Sequence, residues 1–207
     1  VTHLSLTDIG HAYGMRTILR DCSLEITSGE VLGITGDNGS GKSTLVRIMA
    51  GVLRPTSGSI TLKVHENIVP DVARPNSTGF LAPYLSVYEE FTPRELLSIV
   101  RDLRGTSPAT TPHDTLERIG LTERADDAIH SLSSGWRQRV LLALAVDHEP
   151  PLLILDEPSV TLDEGGRRIL RSEIDAARSR GAVVILATND HRDHEACTSI
   201  VDISRWH

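Results

Sequence analysis

The stretch Gly36-Asp37-Asn38-Gly39-Ser40-Gly41-Lys42-Ser43-Thr44 fits the pattern G-x-x-x-x-G-K-[ST], a phosphate-binding loop. Gly36, Gly39 and Gly41 carry no Cβ, so the backbone can turn tightly and approach a ligand closely. The N–H groups of the loop, those of Asn38 and Ser40 included, can then converge on phosphate oxygens. Lys42 supplies a compact positive charge for the β- and γ-phosphates, and Ser43 a hydroxyl ligand for Mg²⁺. Thr44 is expected to begin a helix whose N-terminal dipole favours the anion. A second pair of reactive groups, Asp156 and Glu157, ends the apolar run Leu152-Leu153-Ile154-Leu155. Alone, that pair reads as a solvated strand terminus. Beside a phosphate loop it has a use, because phosphoryl chemistry needs one carboxylate for Mg²⁺ and one group to orient or deprotonate the attacking water.

The elements that must position these groups follow from local pattern. Val31–Thr35 reads as a short buried strand, and Lys42 to Ala50 as a helix with Leu45, Ile48 and Met49 on one face and Gly51 as its stop. Strand, loop, helix is the order the motif requires. Leu4 and Leu6, then Leu24 and Ile26, alternate as in a half-buried sheet. Between them Tyr13 is either a packed strand-end aromatic or a ring that stacks on a base. Pro55 to Gly58 reads as a turn, Ile60 to Val64 and Gly79 to Ala82 as strands, the latter stopped by Pro83. Thr92-Pro93-Arg94-Glu95 predicts a capped helix start, with Leu96, Leu97, Ile99, Val100 and Leu103 as its apolar face. Gly105 to Pro112 is a loop by composition, and a short helix is expected from Asp114 to Ile119. Residues 84–131 therefore read as a helical insert. A helix opens around Ser133-Ser134-Gly135, another covers Gly166 to Ser179, and Ala182 to Ala187 is a buried strand. Buried parallel strands collect active groups at their ends. His191 and His194 admit a metal pair, but a solvated helix start accounts for them. Trp206 and His207 have no readable role.

The bulk properties narrow the class. With 207 residues, 39% hydrophobic and 24% charged, the chain suits one domain with a substantial core. A net charge of −7 argues against broad electrostatic binding to nucleic acid, and no nucleic-acid partner is expected. Cys22 and Cys197 fit no metal-ligand spacing and suggest a reducing setting. No leader pattern and no membrane-length apolar run is read in the chain, so a membrane role would need a separate membrane subunit.

In order, Tyr13, GDNGSGKST, LSSGWRQR, LLILDEP, Ser159-Val160-Thr161-Leu162-Asp163 and ATND resemble the ATP-binding cassette ATPases over almost the whole chain. The resemblance implies an α/β fold: a P-loop NTPase core with a mostly parallel sheet, an N-terminal antiparallel β part and an inserted helical subdomain. One nucleotide-binding domain would fill 1–207, with 1–83 and 132–207 as core and 84–131 as the helical subdomain. It implies ATP and Mg²⁺ as cofactors and Tyr13 as the ring that stacks on adenine. Asp156 would act on Mg²⁺ and Glu157 as general base. Ser133 and Gly135 would close on the γ-phosphate of a nucleotide held by a second cassette, as homodimer or heterodimer, and Asp163 would lie in the loop that crosses that interface. Transmembrane permease subunits would be the other partners, docking near Tyr84 to Phe91. The expected location is cytoplasmic, peripheral on the inner face of the cell membrane. Pro83 stands where the family has glutamine, Asn189 where it has the switch histidine, and Trp136 where the signature has glutamine. Pro83 puts one contact to Mg²⁺ and water in doubt, with Tyr84 a substitute only after local rearrangement. Asn189 takes the histidine's catalytic position with a shorter reach and no charge. Both departures point to slow turnover. The alternatives are a regulatory cassette with weak turnover and a nucleic-acid-associated cassette. The short distance from Thr44 to Leu132 leaves no room for the coiled coils of the latter.

Overall fold

In the computed structural model, which describes residues 1–105 and 110–207, two sheets face one another across a shared core. One is parallel and contains β3 (Val31–Thr35), β6 (Thr78–Leu81), β7 (Leu152–Asp156), β8 (Val183–Ala187) and β9 (Ser199–Asp202). Its order is β6-β7-β8-β3-β9. The other is antiparallel and contains β1 (Thr2–Tyr13), β2 (Arg16–Thr27), β4 (Ser57–Val64) and β5 (Asn67–Val69), ordered β2-β1-β4-β5. The helices are α1 (Lys42–Met49), α2 (Pro93–Arg104), α3 (Pro112–Arg118), α4 (Ser134–Val146), α5 (Glu164–Ser179) and the short α6 (His191–His194).

Strands β7 and β8 are buried at all five positions. The pleat divides their side chains between two apolar clusters. Leu153, Leu155, Val184 and Leu186 face the cluster closed by α2, α4 and α5. Leu152, Ile154, Val183, Ile185 and Ala187 face the cluster closed by α1 and by Leu4, Leu6 and Ile26 of the antiparallel sheet. Burial on both faces is why these runs read as continuously apolar. Each fully buried leucine or isoleucine contributes about 1.5–3 kcal/mol of transfer free energy. The two strands therefore anchor the loops that carry Asp156, Glu157 and Asn189.

The region between β6 and α4 holds α2, α3 and two 3-10 turns, Thr122–Arg124 and Ile129–Ser131. Its Leu97, Leu116, Ile119 and Ile129 belong to the same cluster as Leu153 and Leu155, so it packs on the parallel sheet's own core. Arg101 of α2 grips Asp147 through two bonds of 2.8 and 2.6 Å, and the Thr115 hydroxyl of α3 donates to the same carboxylate at 2.7 Å. That buried group ties both helices to the end of α4. At Gly79 in β6 a Cβ would lie 2.1 Å from the carbonyl oxygen of Ala145, so α4 approaches this strand only over a glycine.

Several local expectations need correction. The helix after the phosphate loop starts at Lys42, as the Lys42 to Ala50 reading has it, two residues before Thr44. Ser57 and Gly58 lie inside β4, with Ser57 paired to Gly10, rather than in a turn. Leu103 is 82% exposed, because Arg101 and Arg104 take the inward positions of that last turn and reach Asp147 and the Leu144 carbonyl. Helix α3 begins earlier than Asp114, since Thr111 and Asp114 cap it reciprocally with Pro112 at the first position. The capped start at Thr92 and Glu95 is as expected. Of the loop read from Gly105 to Pro112, residues 106–109 lie outside those described.

Candidate active site

The loop between β3 and α1 holds a left-handed turn at Gly41, with φ +96°, where a Cβ would also meet Ile18 at 2.7 Å. Only glycine fits there, and the turn points the next amides toward open space. A cleft of about 400 Å³ is lined by Tyr13, Asn38, Lys42, Ser43, Thr44 and Glu157, among others, with Gly39 and Gly41 in its wall. The Lys42 ammonium donates to the carbonyls of Gly36 at 2.6 Å and Asp37 at 3.2 Å, which leaves one of its three N–H groups for a phosphate oxygen. Ser40 is buried, and its Oγ has no partner. Tyr13 ends β1 with 49% of its surface exposed and its ring edge-on to His11 at 4.7 Å. An exposed ring beside a phosphate cradle is free to take a base on its face.

Asp156, at the end of β7, is 1% exposed, and both its carboxyl oxygens lack a hydrogen-bond partner. Burial pushes its pKa up. The Ser43 and Tyr84 hydroxyls face the carboxyl without closing a hydrogen bond and, with the Arg47 and Lys42 charges, draw it back down. A buried carboxylate with no bond of its own, facing a serine hydroxyl, is a hard-oxygen set that suits Mg²⁺. Glu157 follows with φ +45°, its N–H tied to the Ala187 carbonyl at 2.8 Å. Burial raises its pKa as well, opposed by Lys42 and reinforced by Asp156 and Asp193. A carboxylate with a raised pKa on a cleft wall is equipped to take a proton from water.

Asn189 lies at the end of β8, where its Oδ1 accepts from the Gly36 N–H at 3.3 Å. That bond orients the amide N–H₂ away from Gly36. Behind it, Asp193 Oδ2 accepts from the hydroxyls of Ser159 at 2.7 Å and Thr188 at 3.1 Å. His194 shares a bond with the Thr188 carbonyl, and α6 is capped by Asp190, so His191 and His194 sit on a short helix start.

The structure brings Tyr13, the phosphate loop and Glu157 to one cleft, but Ser133 and Gly135 do not line it. Ser133 is the N-cap of α4, yet its side chain makes no capping bond and is exposed. The start of α4 is instead fixed to the loop after Glu157. Gln138 donates to the Pro158 carbonyl at 2.9 Å and Arg139 to Asp163 at 2.8 Å. Trp136 stacks beneath Arg139, 4.6 Å from its guanidinium carbon. Sequence reasoning missed three contributors. Arg47 lies over the Tyr84 ring, Asp193 serves as a hydrogen-bond hub, and His207 donates to the Ser40 carbonyl at 2.6 Å while Trp206 packs on the core. Asp193 was visible only as a neighbour of two histidines.

The chain is similar in sequence and fold to known proteins. A curated relative, an uncharacterized ABC transporter ATP-binding protein YdbJ of Bacillus subtilis (strain 168), is 32% identical over 98% of the chain and 66% of its own length. The chain spans less than two thirds of that relative and of several others it matches. A solved ATP-binding subunit of an ABC transporter superposes with a TM-score of 0.85 at 25% identity, covering 96% of this chain and 85% of that one. A dimeric ATP-binding cassette in a post-hydrolysis state, bound to ADP and Pi, shares the fold with a TM-score of 0.84 at 23% identity, over 96% and 93% of the two chains. The family described as ABC transporter matches residues 19–160, and to that family, as an ATP-binding protein, this chain belongs.

Proposed function

We propose that the chain is the ATP-binding and ATP-hydrolysing subunit of an ABC transporter. It would work as a pair of cassettes attached to separate membrane subunits. The observation that carries the reading is the cleft where Tyr13, Lys42, Ser43 and Glu157 meet, next to the buried Asp156, whose two carboxyl oxygens have no partner. Tyr13 takes the base. The loop amides and Lys42 hold the phosphates, and Ser43 and Asp156 would hold Mg²⁺, which would neutralise charge on the phosphate oxygens. Glu157 orients water and accepts its proton as the terminal phosphoryl group leaves. Asn189, tied by its oxygen to Gly36, aims its amide donor at that group. Being neutral and short, it supports a slow turnover.

The open cap at Ser133 and the neighbouring Gly135 support a second cassette, identical or different, whose nucleotide they would contact. We take 1–207 as one nucleotide-binding domain with a helical subdomain at 84–131. Among the described residues no helix is long and apolar enough to cross a membrane. Attachment on the inner face of the membrane, through the surface around Tyr88, follows from this reading. Tyr88 is 73% exposed, whereas Phe91 packs inward against the core with its ring edge-on to Tyr88 at 6.0 Å. Glu89 is paired with Arg137 at 3.0 Å, so Glu90 is the cleaner site for charge reversal. Steady-state ATP hydrolysis by the purified chain, alone and with co-purified membrane subunits, tests the proposal. Absence of Mg²⁺-dependent ATP binding and turnover in both preparations would sink it.

A further inference from the structure

Strands β6 and β7 run in parallel register, with Leu81 opposite Leu155, so the chain leaving β6 passes beside Asp156. Ala82 is fully buried there, and Pro83 has no side-chain donor or acceptor. Tyr84 comes next. Its ring lies 6.4 Å from that of Phe80 and 3.9 Å from the Arg47 guanidinium carbon above it. Arg47 stands one helical turn after Ser43 on α1, so both side chains leave the same face of that helix. Helix α1 thus brings Ser43 and Arg47, and the segment after β6 brings Tyr84, toward one carboxylate at the end of β7 whose oxygens have no hydrogen bond.

We propose that Tyr84, clamped by Arg47, is the positioning residue that orients Asp156 toward a divalent cation, the task that Pro83 cannot perform. The phenol suits it. Its O–H can donate to the carboxylate or its oxygen can accept from a metal-bound water. The cation–π contact with Arg47 holds the ring in place without using the hydroxyl. Partners of this kind, one shell out from a metal, set ligand orientation and affinity. The inference rests on the nucleotide-binding reading above and names the residue that completes the metal side of that site.

The test is Mn²⁺ binding to the full chain saturated with a non-hydrolysable ATP analogue, read by electron paramagnetic resonance. Tyr84→Phe keeps the ring and its contact with Arg47 while removing the hydroxyl. It should weaken Mn²⁺ binding by about tenfold. Affinity for the nucleotide in EDTA and the melting temperature should stay at wild-type values. Adding Pro83→Gln to Tyr84→Phe should restore Mn²⁺ binding. Unchanged Mn²⁺ affinity in Tyr84→Phe would overturn the proposal, as would an equal loss of metal-free nucleotide affinity. A double variant no better than Tyr84→Phe would overturn the claim that the phenol replaces a side chain at position 83. If the wild-type chain itself failed to bind the Mn²⁺–nucleotide pair, the reading of the cleft would fall and this proposal with it.

Discussion

Around the phosphate loop the chain bonds many of its own polar groups, with the Ser40 hydroxyl and the Asp156 carboxyl as exceptions. Lys42 is bonded to two loop carbonyls, Asn189 to Gly36, Glu157 to Ala187, and His207 to Ser40. At the start of α4 the reverse holds. Ser133 occupies a capping position without capping, and its hydroxyl faces solvent. Yet the backbone there is firmly fixed, through Gln138 and Arg139, to the loop that follows Glu157. One region is preorganised; the other is a rigid mount for a hydroxyl that caps nothing in its own chain. The contrast supports the proposed reading, in which the two halves answer to different ligand copies and the loop from Pro158 to Asp163 joins them.

The hardest test of that contrast is Glu157→Gln. Loss of the base should lower turnover by about 10²–10⁴-fold. ATP should still bind, and the variant should accumulate as a dimer in size-exclusion chromatography with light scattering. A variant that stays monomeric with saturating ATP would mean that a different cassette or the membrane subunits complete the site. Ser133→Ala probes the other half. Turnover should fall by roughly a hundredfold, the effect of losing one transition-state donor. ATP affinity of the monomer and melting temperature should not move, because the Ser133 side chain makes no capping bond and its carbonyl bond to Arg137 survives the change. A matching loss of monomer affinity would erase the distinction between the halves.

Tyr13→Ala should weaken ATP binding by about 1–3 kcal/mol, the range for base–aromatic stacking. Calorimetric titration measures it, and an unchanged affinity would return Tyr13 to a packing role against His11. The smallest effect concerns Asp156, one of the exceptions on the satisfied side. Its folded pKa stands above the unfolded value because burial disfavours the charged form. The folded chain therefore holds that proton more tightly, and stability declines as pH rises through the raised pKa. Asp156→Asn should remove this pH dependence. Relief of the buried charge should raise neutral-pH stability by less than the Tyr13 effect, because the amide is left as unpartnered as the carboxylate, while Mn²⁺ binding is lost. Thermal melts across pH check the sign: a less stable Asn variant at neutral pH would show that Arg47 and Lys42 already compensate the charge.

Much of this was legible in the sequence, and the limits have physical causes. The phosphate loop is contiguous, so its glycines, Lys42 and Ser43 announce their task by spacing alone. Asp156 and Glu157 are adjacent and end an apolar run, so their strand could be read too. The contact of Tyr84 with Arg47 depends on how β6 registers beside β7, which no local pattern encodes. The need for glycine at position 79 arises from Ala145, on a helix far along the chain. Helix α3 did carry its signal in Thr111, Pro112 and Asp114, but the neighbouring small and proline residues masked it as loop. The low exposure of Asp193 and its two hydroxyl donors reflect how α6 folds back on β8, a tertiary event invisible at the level of spacing.

The backbone at Glu157 has one further consequence. A non-glycine residue in the left-handed region costs about 1–2 kcal/mol relative to a right-handed one. The other non-glycine residues with positive φ among those described do not line the cleft. Selection for stability alone would replace Glu157 by glycine or asparagine, which accept such a turn with less strain. A glutamate kept at that position, with a carboxylate raised in pKa by burial, is strain retained against a cheaper option. Glu66 and Glu149 carry the same backbone strain elsewhere, so strain alone does not mark use; at Glu157 it falls on the residue that the proposed chemistry assigns to the attacking water.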